Sequence, residues 1–524
     1  MPDSSIRADK SPNHTWWKNI YLNIFVFFLL VNILVTGGRL ASSDETAIFL
    51  LTESMAMHGT VDVPAGIIDN GTEANGKFYI WYEVGQSLVA VPFYWGANAA
   101  SGVLHLPPEL KTLFTKAAVG VFNGFIGAGI AVLLFAFAGK LGYSTRTSLL
   151  LCAAFGIGTF AFPYFKSFLR EPLLTFYLLA SCYFLFCWRK SPEKWKWALL
   201  AGIFAGLGFL TKVTFAVNII LFACYVLYFY WKHGDQRKHA MRSISMMVLP
   251  VVLATVIMFW YNYARFNNPF DLGYKGGTSF STPFYVGFFG LMLSPGKSFF
   301  LYAPIAIIGI GGFRILYKKF PEDVWLWLGL FAANIVLYGN YVAWGSDGSW
   351  GPRYLVPLIP FFVLAAGIVI EQGTTLMKRA SYLLIIAGIV IQIGGTSVYI
   401  GTYLREMGEY PYTRNFDDPE FLYKTHFIPN YSPVIGQWRM TIRNIGEHLS
   451  GDIPSLKVTE DTQSKRIPLA EAMQAKLQHT LDYWFLYPRY VGYRSLLLTI
   501  VPLLLLLLAV AQWMRLLAIT KVFH

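Results

Sequence analysis

Long uncharged runs of aliphatic and aromatic residues alternate with short polar connectors along this chain. The runs occupy 20–35, 113–138, 148–162, 172–188, 197–210, 213–231, 244–263, 299–316, 324–342, 354–370, 382–399 and 495–517. About 20 apolar residues in helical form match the hydrocarbon thickness of a bilayer, so the pattern predicts about twelve membrane-crossing helices. A further stretch, 86–106, is apolar enough to compete as a span. Read as an interfacial helix, it leaves six basic clusters on the side of Arg7, Lys10 and Lys18. These are Lys140/Arg146, Arg189/Lys190/Lys194/Lys196, Lys232/Arg237/Lys238/Arg242, Arg314/Lys318/Lys319, Lys378/Arg379 and Arg515/Lys521. Read as a span, it carries most of them outside, against the positive-inside rule. The interfacial reading follows, with both termini cytoplasmic.

This topology leaves three outer elements: a long loop at 37–112, a Gly-, Ser- and aromatic-rich segment at 265–297, and a polar region at about 400–489 with Pro411, Pro419, Pro429, Pro433 and Pro454. The expected organisation is a transmembrane module at 1–399, an extracytoplasmic region at 400–490, and a final helix with a cytoplasmic tail at 491–524. The middle region has no clear period and reads as irregular α+β. No internal repeat is evident.

Composition agrees with a polytopic membrane protein of the all-α class. Only 14% of residues are charged and mean hydropathy is +0.47, whereas soluble domains carry about a quarter charged residues. The net charge of +13 sits in short loops rather than in a basic run interleaved with aromatics, so no nucleic-acid partner is expected. Cys152, Cys182, Cys187 and Cys224 all fall in apolar segments, where they read as small buried hydrophobes, not a disulfide framework or zinc site. No Ala-x-Ala-like cleavage site follows the first span, which is expected to stay as a signal anchor.

The candidate chemistry lies at the outer helix ends. Ser42 and Glu45 have capping-box spacing and open a helix running to about His58, with Ile48, Leu51 and Met55 as an apolar stripe suited to the membrane surface. Asp44 and Glu45 either cap this helix and favour its dipole or carry chemistry at the interface. Glu171, beside Pro172 at a helix start, is a second acid with the same two readings. Two carboxylates meeting over one cavity can deprotonate and orient an acceptor. Lys166, Arg170, Lys212, Arg265, Lys275, Lys297 and Arg353 break the positive-inside trend. They suit a phosphate headgroup or snorkel towards anionic lipid. No phosphate-binding loop, dinucleotide fingerprint or His-Glu-x-x-His occurs, the nine histidines lack ligand spacing, and Asn70-Gly71-Thr72 fits a glycosylation sequon.

The stretch Asp44-Glu45-Thr46-Ala47-Ile48-Phe49, continuing through Met55 to Pro64, resembles the first outer loop of GT-C glycosyltransferases. The similarity is strongest to the branch of lipid A aminoarabinose transferases and protein O-mannosyltransferases (glycosyltransferase 39-like). Tyr82-Glu83 and 86–95 resemble its second juxtamembrane segment. Further matches are Phe168-Leu169-Arg170-Glu171-Pro172, 206–212 and Pro352-Arg353-Tyr354-Leu355-Val356-Pro357; together they cover about 20–370. The resemblance implies juxtamembrane helices in the first outer loop and transfer of a sugar from a polyprenyl-phosphate donor to a lipid, glycan or protein acceptor, in a bacterial inner membrane. It implies Asp44 as base, with Glu45 and Glu171 as further catalytic acids. Arg170, Lys212, Arg265 and Arg353 are candidates to bind the donor phosphate, and Tyr82 and Glu83 to orient substrate. Val84-Gly85 stands where such relatives carry Lys-Pro, so one phosphate contact is missing or comes from elsewhere. Relatives in this branch share no single metal requirement, so a divalent cation near Asp44/Glu45 is compatible with the resemblance. The competing classes are a transporter or flippase, which would place its charges near the bilayer midplane, and an envelope scaffold.

Overall fold

A computed structural model describes residues 19–274, 279–346, 348–410, 418–456 and 476–522. Arg7, Lys10, Lys18, Lys275 and Pro411 lie outside the described residues. Every predicted span coincides with helix, beginning with Ile20–Val35 and ending with Leu497–Val522. Among the described residues, seven helical segments are long and apolar enough to cross a bilayer unaided, and five shorter apolar helices accompany them. The protein is an integral multi-pass membrane protein. Gly85–Val103 is a continuous helix outside both groups.

Small residues let the helices approach. A Cβ at Gly202 would overlap the Met247 carbonyl and one at Gly206 would press on Pro250 O, so Trp195–Thr211 lies against Ala240–Phe266. Gly309 and Gly312 likewise meet the Phe362 and Ala365 carbonyls of Ile359–Gln372. Lipid tails are as apolar as leucine, so close backbone contact of this kind substitutes for a hydrophobic drive. Buried amides add polar ties: Asn32 donates to Gly124 O at 2.9 Å and Gln512 to Asn23 Oδ1 at 2.6 Å.

At six points the structure corrects the sequence reading or adds to it. The helix Ser43–His58 does not lie on the membrane by its Ile48–Leu51 stripe. Ala47 through Leu51 are all buried, because the helix is packed within the protein and Ser87 of Gly85–Val103 donates to Ile48 O at 3.0 Å. The first outer loop also contains an antiparallel hairpin, Gly71–Ala74 with Lys77–Ile80. Its Asn75-Gly76 turn has positive φ at both residues (54° and 72°), the signature of a tight two-residue hairpin. The segment at 265–297 holds an apolar helix, Phe284–Leu293. The span at 299–316 is broken at Ala303-Pro304 into Phe299–Tyr302 and Ile305–Tyr317, as proline requires. Among its described residues the 400–490 region is helical, not α+β, with Pro433–Ser450 its longest element. Of the cysteines, Cys224 is exposed rather than buried.

The packing of Ile305–Tyr317 yields a paired test. Gly312→Ala should lower the detergent-solubilised melting temperature, since overpacking costs about 1–3 kcal/mol. Its neighbour Gly311 has nothing within 4 Å of a Cβ, so Gly311→Ala should be neutral or stabilising by up to about 1 kcal/mol from helix propensity.

Candidate active site

Ser42 caps Ser43–His58: its hydroxyl accepts the Glu45 N–H at 3.3 Å and donates to Glu45 Oε1 at 2.9 Å. The second Glu45 oxygen accepts the Phe168 N–H at 2.9 Å. Both Glu45 oxygens are thus engaged in joining the first outer loop to the turn that precedes Arg170. That turn is held from other sides as well. Gln86 donates to Phe168 O, and Asn123 to Ser167 O and Leu169 O, each at 2.7 Å.

Asp44 precedes Glu45 by one position, about 100° around the helix, and meets different partners. Its Oδ1 accepts the Tyr82 hydroxyl at 2.6 Å and the Asn70 amide at 2.9 Å. Its Oδ2 accepts Arg353 Nη1 at 2.9 Å. Arg353 opens a short 3-10 turn, Arg353–Leu358, just after Gly351, whose φ of 59° and contact with the Tyr302 ring exclude a side chain. On its other flank Arg353 Nε lies 2.9 Å from Glu171 Oε1. This ion pair lacks hydrogen-bond alignment, and among the described residues neither Glu171 oxygen accepts a hydrogen bond. The Glu171 side chain is 1% exposed and that of Asp44 25%. Arg353 therefore bridges a buried carboxylate and one that opens onto a cavity.

The remaining predicted residues divide by their partners. Arg170 pairs with Glu83 through Nη1, donates to Thr211 O at 3.3 Å, and lies 4.6 Å over the Tyr82 ring. Glu83 also accepts the Val213 N–H at 2.9 Å. Together they weld the 82–85 strand exit to the 211–213 turn. A Cβ at Gly85 would sit 2.6 Å from Leu210 C and Thr211 N, so the Val84-Gly85 departure follows from this close approach. Lys212 makes no ion pair or hydrogen bond among the described residues. Its Nζ lies 4.2 Å from the Tyr354 ring centroid and 5.1 Å from that of Tyr338. Arg265 is not brought to this cluster. It is fully buried, donates to Ile80 O and Asn262 Oδ1 at 2.8 Å, and stacks 3.9 Å over Tyr261, so its place is behind the hairpin.

A cavity of about 250 Å³ opens beside Asp44 and Arg353. Its far wall carries a second charged group that the sequence did not single out. Asp482 pairs with Arg39 at 3.0 Å and Lys166 at 2.9 Å, and accepts the Tyr487 hydroxyl at 2.7 Å. A second cavity of about 20 Å³, one-water sized, lies between Glu171, Lys212, Asn218 and Asn334. Asn70, whose sequon reading gave no hint of a partner, is another residue that the sequence did not single out. Among the described residues no three His, Cys, Asp or Glu side chains gather as a metal cage.

The two adjacent acids diverge in acidity. Burial alone would raise the Asp44 carboxyl, but the Arg353 guanidinium and Tyr82 hydroxyl outweigh it and hold it below the usual carboxylate range. Burial pushes the Glu45 carboxyl up in spite of the Phe168 and Ser42 bonds. Asp44 is thus the anion near neutral pH.

Arg353→Met should destabilise the solubilised protein by about 3–5 kcal/mol, because Glu171 is left as a buried unpaired charge. Adding Glu171→Met should regain part of that loss; strictly additive destabilisation in thermal melts would break the proposed coupling.

The family model for dolichyl-phosphate-mannose-protein mannosyltransferase matches residues 93–268. No curated protein matches the sequence. Among solved structures, the apo oligosaccharyltransferase of Archaeoglobus fulgidus superposes with a TM-score of 0.50 at 10% identity, over 82% of this chain and 64% of that one. ArnT of Cupriavidus metallidurans bound to undecaprenyl phosphate gives 0.45 at 14% identity, over 91% of this chain and 78% of that one. The chain thus has the polytopic fold of the GT-C superfamily of membrane glycosyltransferases.

Proposed function

We propose that this protein transfers a sugar from a polyprenyl-phosphate donor to an acceptor hydroxyl at the extracytoplasmic face of a bacterial inner membrane, with both termini cytoplasmic. The observation that carries the reading is the Asp44–Arg353–Glu171 bridge, with its partly open carboxylate facing a cavity at the membrane end of the helices. The helix Glu171–Lys190 separates this cluster from the basic end at Arg189 and Lys190 by about 30 Å, the thickness of the hydrocarbon core. The partial mannosyltransferase match supports a lipid-phosphate donor.

In this mechanism Asp44 accepts the acceptor's hydroxyl proton as the oxygen attacks the anomeric carbon. The anomeric carbon–oxygen bond to phosphate breaks, and the polyprenyl phosphate leaves with the electron pair. Lys212, which makes no ion pair among the described residues, neutralises the departing phosphate. Arg353 and Glu171 position Asp44; Tyr82 and Asn70 fix its rotamer. Glu45, Glu83 and Arg170 hold the loops together, and Arg265 supports the hairpin that carries Tyr82.

Membranes containing the wild type should consume a labelled polyprenyl-phosphate sugar, and Asp44→Asn should lose about 100-fold or more in rate, the usual share of a general base. Lack of donor consumption across the common lipid-linked sugars would count against the transferase and for transport or scaffolding. The pH profile adds a second check. Because Tyr82 helps to hold the Asp44 carboxyl down, Tyr82→Phe should move the acid limb of the rate to higher pH, towards the ordinary aspartate value of about 4.

A further inference from the structure

The large cavity has a charge balance that bears on its ligand. Its cations are Arg39, Lys166 and Arg353, and each faces a carboxylate: Asp482 for the first two, Asp44 and Glu171 for the third. Glu45 is the remaining acid in the wall among the described residues. Among those residues no unpaired positive charge is therefore offered to a ligand, and an anionic headgroup entering here would have to break a buried pair. What the wall does offer is short hydroxyls and aromatic rings. Ser43, Ser167 and Ser349 stand among Tyr164, Tyr399 and Tyr410. At about 250 Å³ the space falls below the range of drug-sized pockets, so it receives the end of a molecule rather than a whole lipid. The antiparallel hairpin lies outside this lining, so no strand edge is offered to an extended peptide by the route of strand addition.

Resting on the transferase reading above, we propose that this cavity is the acceptor site and that the acceptor is the uncharged end of a saccharide. A sugar ring presents several hydroxyls that both donate and accept, matching the serines and tyrosines, and an apolar face that packs on an aromatic ring. The reacting hydroxyl lies towards Asp44, whose carboxylate takes its proton. The new glycosidic bond forms at the donor's anomeric carbon, and the phosphate departs with the electrons of the broken bond. Tyr410 and Asp482 come from the region that follows residue 399, and Tyr399 adjoins it, so that region sets the acceptor.

The test uses the purified full-length chain in detergent. Thermal melts are recorded with a panel of neutral methyl glycosides, with inorganic phosphate, and with an acetylated, amidated Ala-Ser-Ala peptide. At least one glycoside should raise the melting temperature saturably. Ser43→Trp, which fills the rim, should abolish the shift, and Tyr410→Ala, at an exposed rim position, should weaken apparent affinity about tenfold. A shift by phosphate or the seryl peptide but no glycoside, or no shift with any probe, would overturn the proposal. A second arm adds labelled polyprenyl-phosphate sugar together with the glycoside. Label recovered on the glycoside supports the assignment. Label recovered only in protein or in lipid extracts overturns the acceptor class and leaves the transferase standing. Glycoside binding without consumption of any donor overturns the transferase, and with it the identity of the ligand as acceptor.

Discussion

One guanidinium held between two carboxylates organises one end of this protein's helices. Arg353 is fixed charge at every accessible pH, and it sits between Asp44 of the first outer loop and Glu171 at the start of a membrane helix. The three residues come from segments far apart in the chain. Moving any one of them strands a charge where solvent is scarce, which is costly. Glu171 is tolerated with no hydrogen bond because the helix N-terminus it opens and the cation beside it are both favourable to an anion.

That bridge requires the loops carrying it to be placed within fractions of an ångström. The placement comes from backbone groups held by side chains of other elements. Phe168 is gripped at its N–H by Glu45 and at its carbonyl by Gln86, and its neighbours by Asn123. Glu83 performs the same service for Val213. On the far side of the cavity, Asp482 gathers Arg39 and Lys166, so the region after the transmembrane module is stapled to the first loop and to the Lys166–Arg170 turn. Irregular backbone at a membrane surface needs its polar groups satisfied in this way. Glu45, Glu83 and Arg170 all make ties of this kind.

Beneath this layer the helices supply rigidity by close approach. Gly202, Gly206, Gly309 and Gly312 face neighbouring carbonyls, and Gly85 brings the juxtamembrane helix against Leu210 and Thr211. The last contact leaves no room for a side chain at position 85.

Hydropathy by itself determined the membrane class and the helices, because transferring some twenty residues into hydrocarbon outweighs any tertiary preference. Local capping grammar likewise determined where Ser43–His58 and Glu171–Lys190 begin. Short-range signals existed for the Asn75-Gly76 hairpin, which sequence reading passed over. Only the tertiary structure decided that Asp44 and Glu171 share Arg353, that Glu45 turns to Phe168, that Arg265 lies behind the hairpin, that Asn70 holds Asp44, and that Asp482 belongs to the cavity wall. Those are pairings across separations of tens to hundreds of residues between side chains of similar type. Spacing along a chain says nothing about which of several acids a given arginine will meet, whereas packing, which leaves each buried charge one affordable partner, selects it.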